Sequence, residues 1–104
     1  MAEFNIDGRM KVKTLKSKFK EAFGASLRVY MNVSSKGRMA DEEATLASIR
    51  AEGAKGGELA VKGNMKVGNF ENKIAEMYGI GVQVSNADDS KLADNEATLI
   101  QAGK

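Results

Sequence analysis

An eight-residue motif occurs twice in this chain of 104 residues, and it places the strongest constraint on the fold. Residues 39–46 read MADEEATL, and residues 92–99 read LADNEATL. The similarity extends upstream, because residues 3–12 match residues 58–67 at an offset of 55 positions. The offset is 53 positions at the motif itself, so a two-residue length difference lies in the loop before it. A fixed period of this kind predicts an internal duplication.

The residues upstream of each motif have the apolar spacing of an amphipathic helix. The predicted helices cover residues 14–23 and 69–78, and their apolar positions are Leu15, Phe19, Ala22 and Phe23 in the first copy and Phe70, Ile74, Met77 and Tyr78 in the second. Thr14 and Asn69 stand before these apolar positions, where a side-chain oxygen can accept a hydrogen bond from a free backbone N–H. Gly24 and Gly79 stand after them, where a left-handed residue closes the last turn. We therefore predict two three-turn helices, each with an N-cap and a C-cap.

An alternating segment follows each predicted helix. The residues on its apolar side are Leu27, Val29, Met31 and Val33 in the first copy and Val82 and Val84 in the second. This alternation predicts a strand with one buried face. Before each helix, residues 3–12 and 58–67 allow either a hairpin with a three-residue loop or a single bent strand. Each repeat is therefore ββαβ or βαβ, followed by the eight-residue motif.

Within the motif, Asp41 and Asp94 occupy positions typical of helix N-caps. An acidic residue follows two positions later in each copy, where a carboxylate favours the positive end of a helix dipole. The motif therefore predicts two short helices, over residues 42–50 and 95–102.

Together these elements predict an α+β fold, a two-layer sandwich of two tandem repeats with approximate twofold symmetry. If the repeat is βαβ, the chain has the order βαββαβ of a ferredoxin-like fold. If the repeat is ββαβ, each copy resembles a small β-grasp-like lobe, and the chain is a tandem of two lobes. We expect a single domain over residues 1–104, with repeat one at 2–52, repeat two at 57–104 and a flexible, glycine-rich linker at 53–56.

The chain contains no cysteine and no histidine. Disulfides, thiolate nucleophiles, imidazole general bases and the usual nitrogen and sulfur ligands of zinc are therefore excluded. Asp88, Asp89 and Ser90, followed by Asp94 and Glu96, lack the ligand spacing of an EF-hand calcium loop. We predict no catalytic residues, no metal site and no cofactor.

Six basic residues lie close together around the start of the first predicted helix, and we name them the basic run: Arg9, Lys11, Lys13, Lys16, Lys18 and Lys20. Residues 1–55 carry 11 basic and 7 acidic side chains, whereas residues 56–104 carry 5 basic and 7 acidic ones. Because clustered lysines bind nucleic acid by releasing counterions from phosphates, the basic run is a candidate nucleic-acid-binding site. On the helix, however, Lys16 and Lys20 flank one side of the apolar stripe and Lys18 flanks the other. This arrangement favours a solvated helix surface instead.

The leading functional hypothesis is a non-enzymatic module that binds an unidentified protein partner through a sheet edge or a helical face. Nucleic-acid binding through the basic run is the alternative hypothesis. The sequence has no run of about 18 apolar residues and no secretory signal pattern at its N-terminus, so we expect a cytoplasmic monomer or homodimer without membrane association. The six methionines are expected to fill gaps in a small core.

Overall fold

Four strands and four helices make up the part of the chain that the computed structural model describes, namely residues 3–31, 39–51 and 53–103. In chain order they are β1 (Glu3–Ile6), α1 (Val12–Phe23), β2 (Ser26–Tyr30), α2 (Leu46–Ile49), β3 (Leu59–Lys62), α3 (Val67–Tyr78), β4 (Gly81–Ser85) and α4 (Leu99–Ala102). The predicted α+β class is confirmed. Both long helices have 12 residues, and they begin 55 positions apart.

The strands form two antiparallel pairs, in which β1 pairs with β3 and β2 pairs with β4. Glu3 opposes Lys62 in the first pair, and Ser26 opposes Ser85 in the second. The predicted ferredoxin-like sheet is not confirmed, because the described strands form two separate sheets of two strands each. The β-grasp-like alternative is not confirmed either, since it requires strands of one half to pair with each other. Each of the four strands instead has its partner in the other half of the chain.

The segments before the long helices agree with the single-strand alternative. β1 ends at Ile6, and in the following turn the N–H of Met10 donates to the carbonyl oxygen of Asp7 at 3.2 Å. β3 is followed by the same turn, in which the N–H of Met65 donates to the carbonyl oxygen of Lys62 at 3.1 Å. Each segment is therefore one short strand and a turn that leads directly into the helix.

The two long helices bury one apolar face each and meet in a common core. The buried residues are Val12, Leu15, Phe19 and Phe23 on α1 and Val67, Phe70, Ile74 and Tyr78 on α3. The ring centroids of Phe19 and Phe70 are 5.3 Å apart, and the Phe19 ring also packs edge-on against that of Phe23 at 5.1 Å. Burying one such phenylalanine contributes roughly 1.5–3 kcal/mol. The two halves are therefore held together by side chains of α1 and α3 as well as by the strand pairs.

The predicted N-caps Thr14 and Asn69 are wrong, because both long helices begin two residues earlier. The residues before them, Lys11 and Lys66, have extended backbones and make no side-chain capping hydrogen bond. The free N–H groups of the first turn bond to backbone oxygens of the eight-residue motif instead. In α1, Val12 N–H donates to the carbonyl of Ala44 at 2.9 Å. The equivalent bond in α3 joins Val67 to Ala97 at 2.8 Å.

The motif itself starts with a turn, so the predicted N-cap roles of Asp41 and Asp94 are also wrong. Their carboxylates accept hydrogen bonds at 2.9 Å from the backbone N–H of Glu43 and Glu96. The short helices begin later than predicted, with Thr45 and Thr98 as N-caps, whose hydroxyl oxygens accept from Ser48 N–H at 3.2 Å and from Gln101 N–H at 3.1 Å. Each copy of the motif thus contains a turn that caps a long helix and a threonine that caps a short one.

The segment predicted as a flexible linker is attached to the C-terminal end of α3. Ala51 N–H donates to the carbonyl oxygen of Tyr78 at 2.8 Å, and Gly56 N–H donates to that of Met77 at 2.6 Å. The hydroxyl of Tyr78 in turn donates to the carbonyl oxygen of Gly57. The last carbonyl groups of the helix are thereby satisfied, which an isolated helix end cannot do by itself. Within the predicted linker, Gly56 is thus bonded to α3 directly, and Ala54 N–H donates to the carbonyl oxygen of Ala51 at 3.0 Å.

Both predicted C-caps are confirmed. Gly24 closes α1 with φ of 77°, and Gly79 closes α3 with φ of 67°. Their N–H groups donate to backbone oxygens four residues earlier, at 2.8 Å and 2.9 Å. Glycine adopts this left-handed conformation without the steric cost that other residues incur.

Candidate functional site

The basic run lies against the acidic residues of the first motif. The Nζ atoms of Lys11 and Lys13 lie 3.2 Å and 2.6 Å from Glu43, and that of Lys16 lies 3.1 Å from Glu42. Hydrogen bonding to Glu43 raises the pKa of Lys13, and the same bond lowers the pKa of Glu43. Both pKa shifts favour the charged forms, so the Lys13–Glu43 pair stays ionised over a wide pH range.

The other members of the basic run have weaker or different partners. A guanidinium nitrogen of Arg9 lies 3.9 Å from the carboxylate of Asp7, and the ammonium of Lys20 donates to the backbone oxygen of Ala87. Lys18 has no ion pair among the residues that the structure describes. A lysine that is already paired with a carboxylate is less able to neutralise a phosphate, so fewer counterions would be released from a nucleic-acid backbone. The nucleic-acid hypothesis is untested, and the described geometry offers no uncompensated basic face to support it.

One ion pair recurs in the second half. Lys66, at the start of α3, lies 3.1 Å from Glu96, as Lys11 at the start of α1 lies near Glu43. Exposed pairs of this kind contribute at most about 1 kcal/mol each. Their recurrence at corresponding positions indicates that they attach the motif to the helix start, which is a structural role.

The acidic loop after β4 is occupied by hydrogen bonds within the protein. The carboxylate of Asp89 accepts from Arg28 Nε at 2.9 Å and from the buried hydroxyl of Ser85, and these contacts hold the pKa of Asp89 below its usual range. Asp88 accepts from the hydroxyl of Ser90 at 2.6 Å, which lowers the pKa of Asp88. The described residues contain no group of three acidic side chains that could hold a metal ion.

An open depression of about 510 Å³ lies between α1 and this loop. Its lining includes two lysines, Lys16 and Lys20, and two carboxylates, Glu21 and Asp89, so its charges are balanced. The hydroxyl of Ser26 is also present, but it donates to the backbone oxygen of Ala87 at 3.1 Å. Nucleophilic catalysis requires an accessible hydroxyl or amine next to a general base. The hydroxyl that donates to Asp89, that of Ser85, is buried and does not line the depression, so it is not placed to attack a substrate there.

A second concavity, of about 290 Å³, is lined by three apolar side chains and one carboxylate, and we name it the methionine hollow: Met31, Met39, Asp41 and Ile49. Met31 follows β2 directly, and Met39 forms an isolated bridge with Tyr30, the last residue of that strand. The exposed fractions of Met31 and Met39 are 39% and 48%. Both side chains therefore face solvent around a half-buried isoleucine at the end of α2.

The hollow overturns part of the expectation for the methionines. Met10, Met65 and Met77 pack against the core as predicted. The alternation of apolar residues predicts a buried side chain at Met31, but β2 ends one residue before it. The signal that could have revealed the hollow is the recurrence of methionine at positions 31 and 39, on either side of the loop predicted from the sequence.

The corresponding positions of the second half are less apolar, because Asn86 and Asp94 are polar and Ala102 stands where the first half has the larger Ile49. Leu92 bridges Ser85 as Met39 bridges Tyr30, and its exposed fraction is 46%. Asn86 stands where the first half has Met31, and its side chain accepts from the N–H of Ser90 at 2.9 Å. The apolar concavity is therefore a property of the first half.

No protein-family model, no curated protein and no solved structure matches this chain. None of the helices in the described ranges is long and apolar enough to cross a membrane. A function must therefore be inferred from the surfaces of the chain itself.

Proposed function

We propose that this chain is a non-enzymatic protein-binding module whose methionine hollow receives an apolar side chain of the partner. The observation that carries the proposal is the exposure of two methionines, Met31 and Met39, around one concavity. Methionine is unbranched and polarisable, so it adapts its shape to different ligands and is frequent at binding surfaces. A few anchor side chains in such pockets supply most of the binding energy of a protein interface.

The rim of the hollow favours a partner with a basic side chain beside its apolar anchor. Asp41 is exposed at this rim, and among the described residues its carboxylate accepts from Glu43 N–H through one oxygen. A charge at a rim steers association and selects among partners more than it adds to affinity.

The other surfaces offer less support for binding. The outer edges of β2 and β4 already accept hydrogen bonds from Ala40 N–H at 3.0 Å and from Ala93 N–H at 2.8 Å, so strand addition there would need displacement of these segments. The basic run is largely paired with Glu42 and Glu43. The hollow needs no such rearrangement.

The test compares Met39→Lys with the matched control Leu92→Lys. The probe is a phage-displayed library of random peptides selected on the wild-type protein, and the affinity of each enriched peptide is then measured for both variants. We expect Met39→Lys to weaken binding at least tenfold, which corresponds to about 1.4 kcal/mol. Leu92→Lys should change binding less than twofold. Peptides that bind both variants equally well would exclude the hollow as the binding site, and circular dichroism confirms that both variants are folded.

We also propose that the two halves are copies of one unit, related by an approximate twofold axis. Three pairs of features support this proposal, each 55 or 53 positions apart: the starts of the long helices, their C-cap glycines, and the bridges Lys11–Thr45 and Lys66–Thr98. The boundaries of the repeats, a cytoplasmic location and a monomeric or homodimeric state stay predictions from the sequence.

A further inference from the structure

Each sheet pairs a strand with its own counterpart in the other half. At the offset of 55 positions, Asn5 corresponds to Ala60, and these two residues are direct partners in the β1–β3 ladder. The adjacent pairs are reciprocal, with Phe4 opposite Val61 and Ile6 opposite Leu59. A contact in which position i meets j while j meets i is the mark of an isologous, twofold interface.

The second sheet obeys the same relation. Arg28 corresponds to Gln83 and opposes it at the centre of the β2–β4 ladder. Both ladders are thus centred on corresponding residues, and one twofold axis through Asn5–Ala60 and Arg28–Gln83 accounts for them.

The residues that follow each short helix likewise contact the long helix of the other half. After α2, Ala51 N–H donates to the carbonyl oxygen of Tyr78 at the end of α3. After α4, Gly103 lies against the end of α1, so close that a Cβ at this position would overlap the carbonyl oxygen of Phe23. Each half therefore completes the helix end of the other.

The halves are connected by one segment, whose described residues 51 and 53–58 fold back along the end of α3. The fold-back depends on three glycines in the left-handed region: Gly53 at φ of 87°, Gly56 at 72° and Gly57 at 111°. A Cβ at Gly56 would also lie 2.8 Å from a guanidinium nitrogen of Arg50. Side chains at these positions would disfavour the fold-back, while leaving the strand and helix contacts between the halves unchanged.

We infer that the surface between the two halves accepts a second copy of this chain, in which the first half of one copy pairs with the second half of the other to form a closed dimer. This inference rests on the proposed duplication. The same ladders and helix contacts form in the monomer and in the exchanged dimer, so the connecting segment and the protein concentration decide between them. A short flexible tether gives an effective concentration on the order of 1 mM. Exchange in the wild-type protein is therefore expected only after refolding at comparable concentrations.

The experiment refolds the full chain from denaturant over a range of concentrations and measures the dimer fraction by sedimentation. The variant is Gly56→Ala/Gly57→Ala, because alanine disfavours the positive φ angles of these positions. The control is Gly24→Ala, which introduces the same kind of backbone strain at one position outside the connecting segment. We expect the double variant to dimerise at a concentration at least tenfold lower than the wild type, and Gly24→Ala to behave like the wild type.

Cysteine cross-links identify the interface, because the chain has no cysteine of its own. An equimolar mixture of Asn5→Cys and Ala60→Cys is refolded at high concentration and oxidised, and Glu3→Cys with Ala60→Cys provides an out-of-register control. Direct partners in an antiparallel pair have Cα atoms about 4.5–5.5 Å apart, which is within reach of a disulfide. Residues that are diagonal to each other, such as positions 3 and 60, are too far apart to form one. A cross-linked heterodimer that exceeds the control supports exchange.

Two results would overturn the inference. The first is that both the wild-type protein and the double variant stay monomeric at every concentration. If the double variant does not fold, the wild-type concentration series and the cysteine cross-links decide the question. The other is a dimer without the cross-link between positions 5 and 60. The methionine hollow lies within one half, so peptide binding is the same in both forms, and failure of exchange leaves the proposed binding function intact.

Discussion

The two C-cap glycines give a matched test of how tightly the halves are packed. Gly24 and Gly79 have similar left-handed backbones, so alanine costs roughly 1–2 kcal/mol at either position. Their surroundings differ. A Cβ at Gly24 would make an ordinary contact with the carbonyl oxygen of Gly103 at 3.4 Å. A Cβ at Gly79 would instead overlap the Cβ atom of Ala51.

The overlap adds an overpacking cost of about 1–3 kcal/mol to Gly79→Ala. We therefore expect Gly24→Ala to lower the free energy of unfolding by roughly 1–2 kcal/mol and Gly79→Ala by roughly 2–5 kcal/mol. In a chain of this size, each kilocalorie shifts the melting temperature by about 4–8 °C. The two variants should thus be clearly separated in a thermal scan.

A double-mutant cycle tests the contact directly. Chemical denaturation is measured for Gly24→Ala, Gly79→Ala, Ala51→Gly and the double variant Gly79→Ala/Ala51→Gly. Removing the Ala51 methyl group should recover about 1–3 kcal/mol of the loss at position 79, and the same change should leave Gly24→Ala unaffected. If Gly79→Ala is no more destabilising than Gly24→Ala, or if Ala51→Gly restores nothing, the close contact between α3 and the segment after α2 is not part of the native state.

Two further predictions concern single polar side chains. Burial raises the pKa of Glu71 above its ordinary value, although a hydrogen bond from Val84 N–H at 3.0 Å opposes the shift. The folded state therefore binds the carboxyl proton of Glu71 more tightly than the unfolded state does. The stability that this group contributes consequently declines as pH rises through its folded-state pKa. Glu71→Gln keeps an acceptor and removes the charge, so it should raise the free energy of unfolding at pH 7, by less than about 1 kcal/mol because solvent screens this half-buried carboxylate. The difference from wild type should disappear in urea titrations below about pH 4, and a difference independent of pH would contradict this account. Thr45→Ala and Thr98→Ala each remove a helix cap and should cost about 0.5–2 kcal/mol in the same assay, whereas Thr98→Ser, which retains the hydroxyl, should be close to neutral.

The features that the sequence predicted correctly are local. The spacing of Leu15, Phe19 and Phe23 depends only on the helical period, and Gly24 closes the helix within one turn, so neighbouring residues suffice to predict them. The helix start was predicted two residues late, because the partner of Val12 N–H is the carbonyl of a residue 32 positions away. No neighbouring side chain reveals such a cap.

Strand pairing and the candidate site depend on contacts of the same long-range kind. Alternation identifies the buried face of a strand, but it does not say which strand lies beside it. The charges of the basic run are visible in the sequence, while their pairing with Glu42 and Glu43 requires the turn of the motif to be placed. The methionine hollow forms only because β2 ends at Tyr30, and strand ends are among the least predictable features of a chain.

The strand pairs between the halves have a consequence for synthesis. Arg28 leaves the ribosome 55 residues before its partner Gln83, a delay of about 3–11 s at usual translation rates of roughly 5–20 residues per second. Until β3 and β4 have been made, β1 and β2 respectively lack their native partners, and their apolar residues stay accessible to chaperones and to other nascent chains. The first half therefore completes its fold only after the second half has been made.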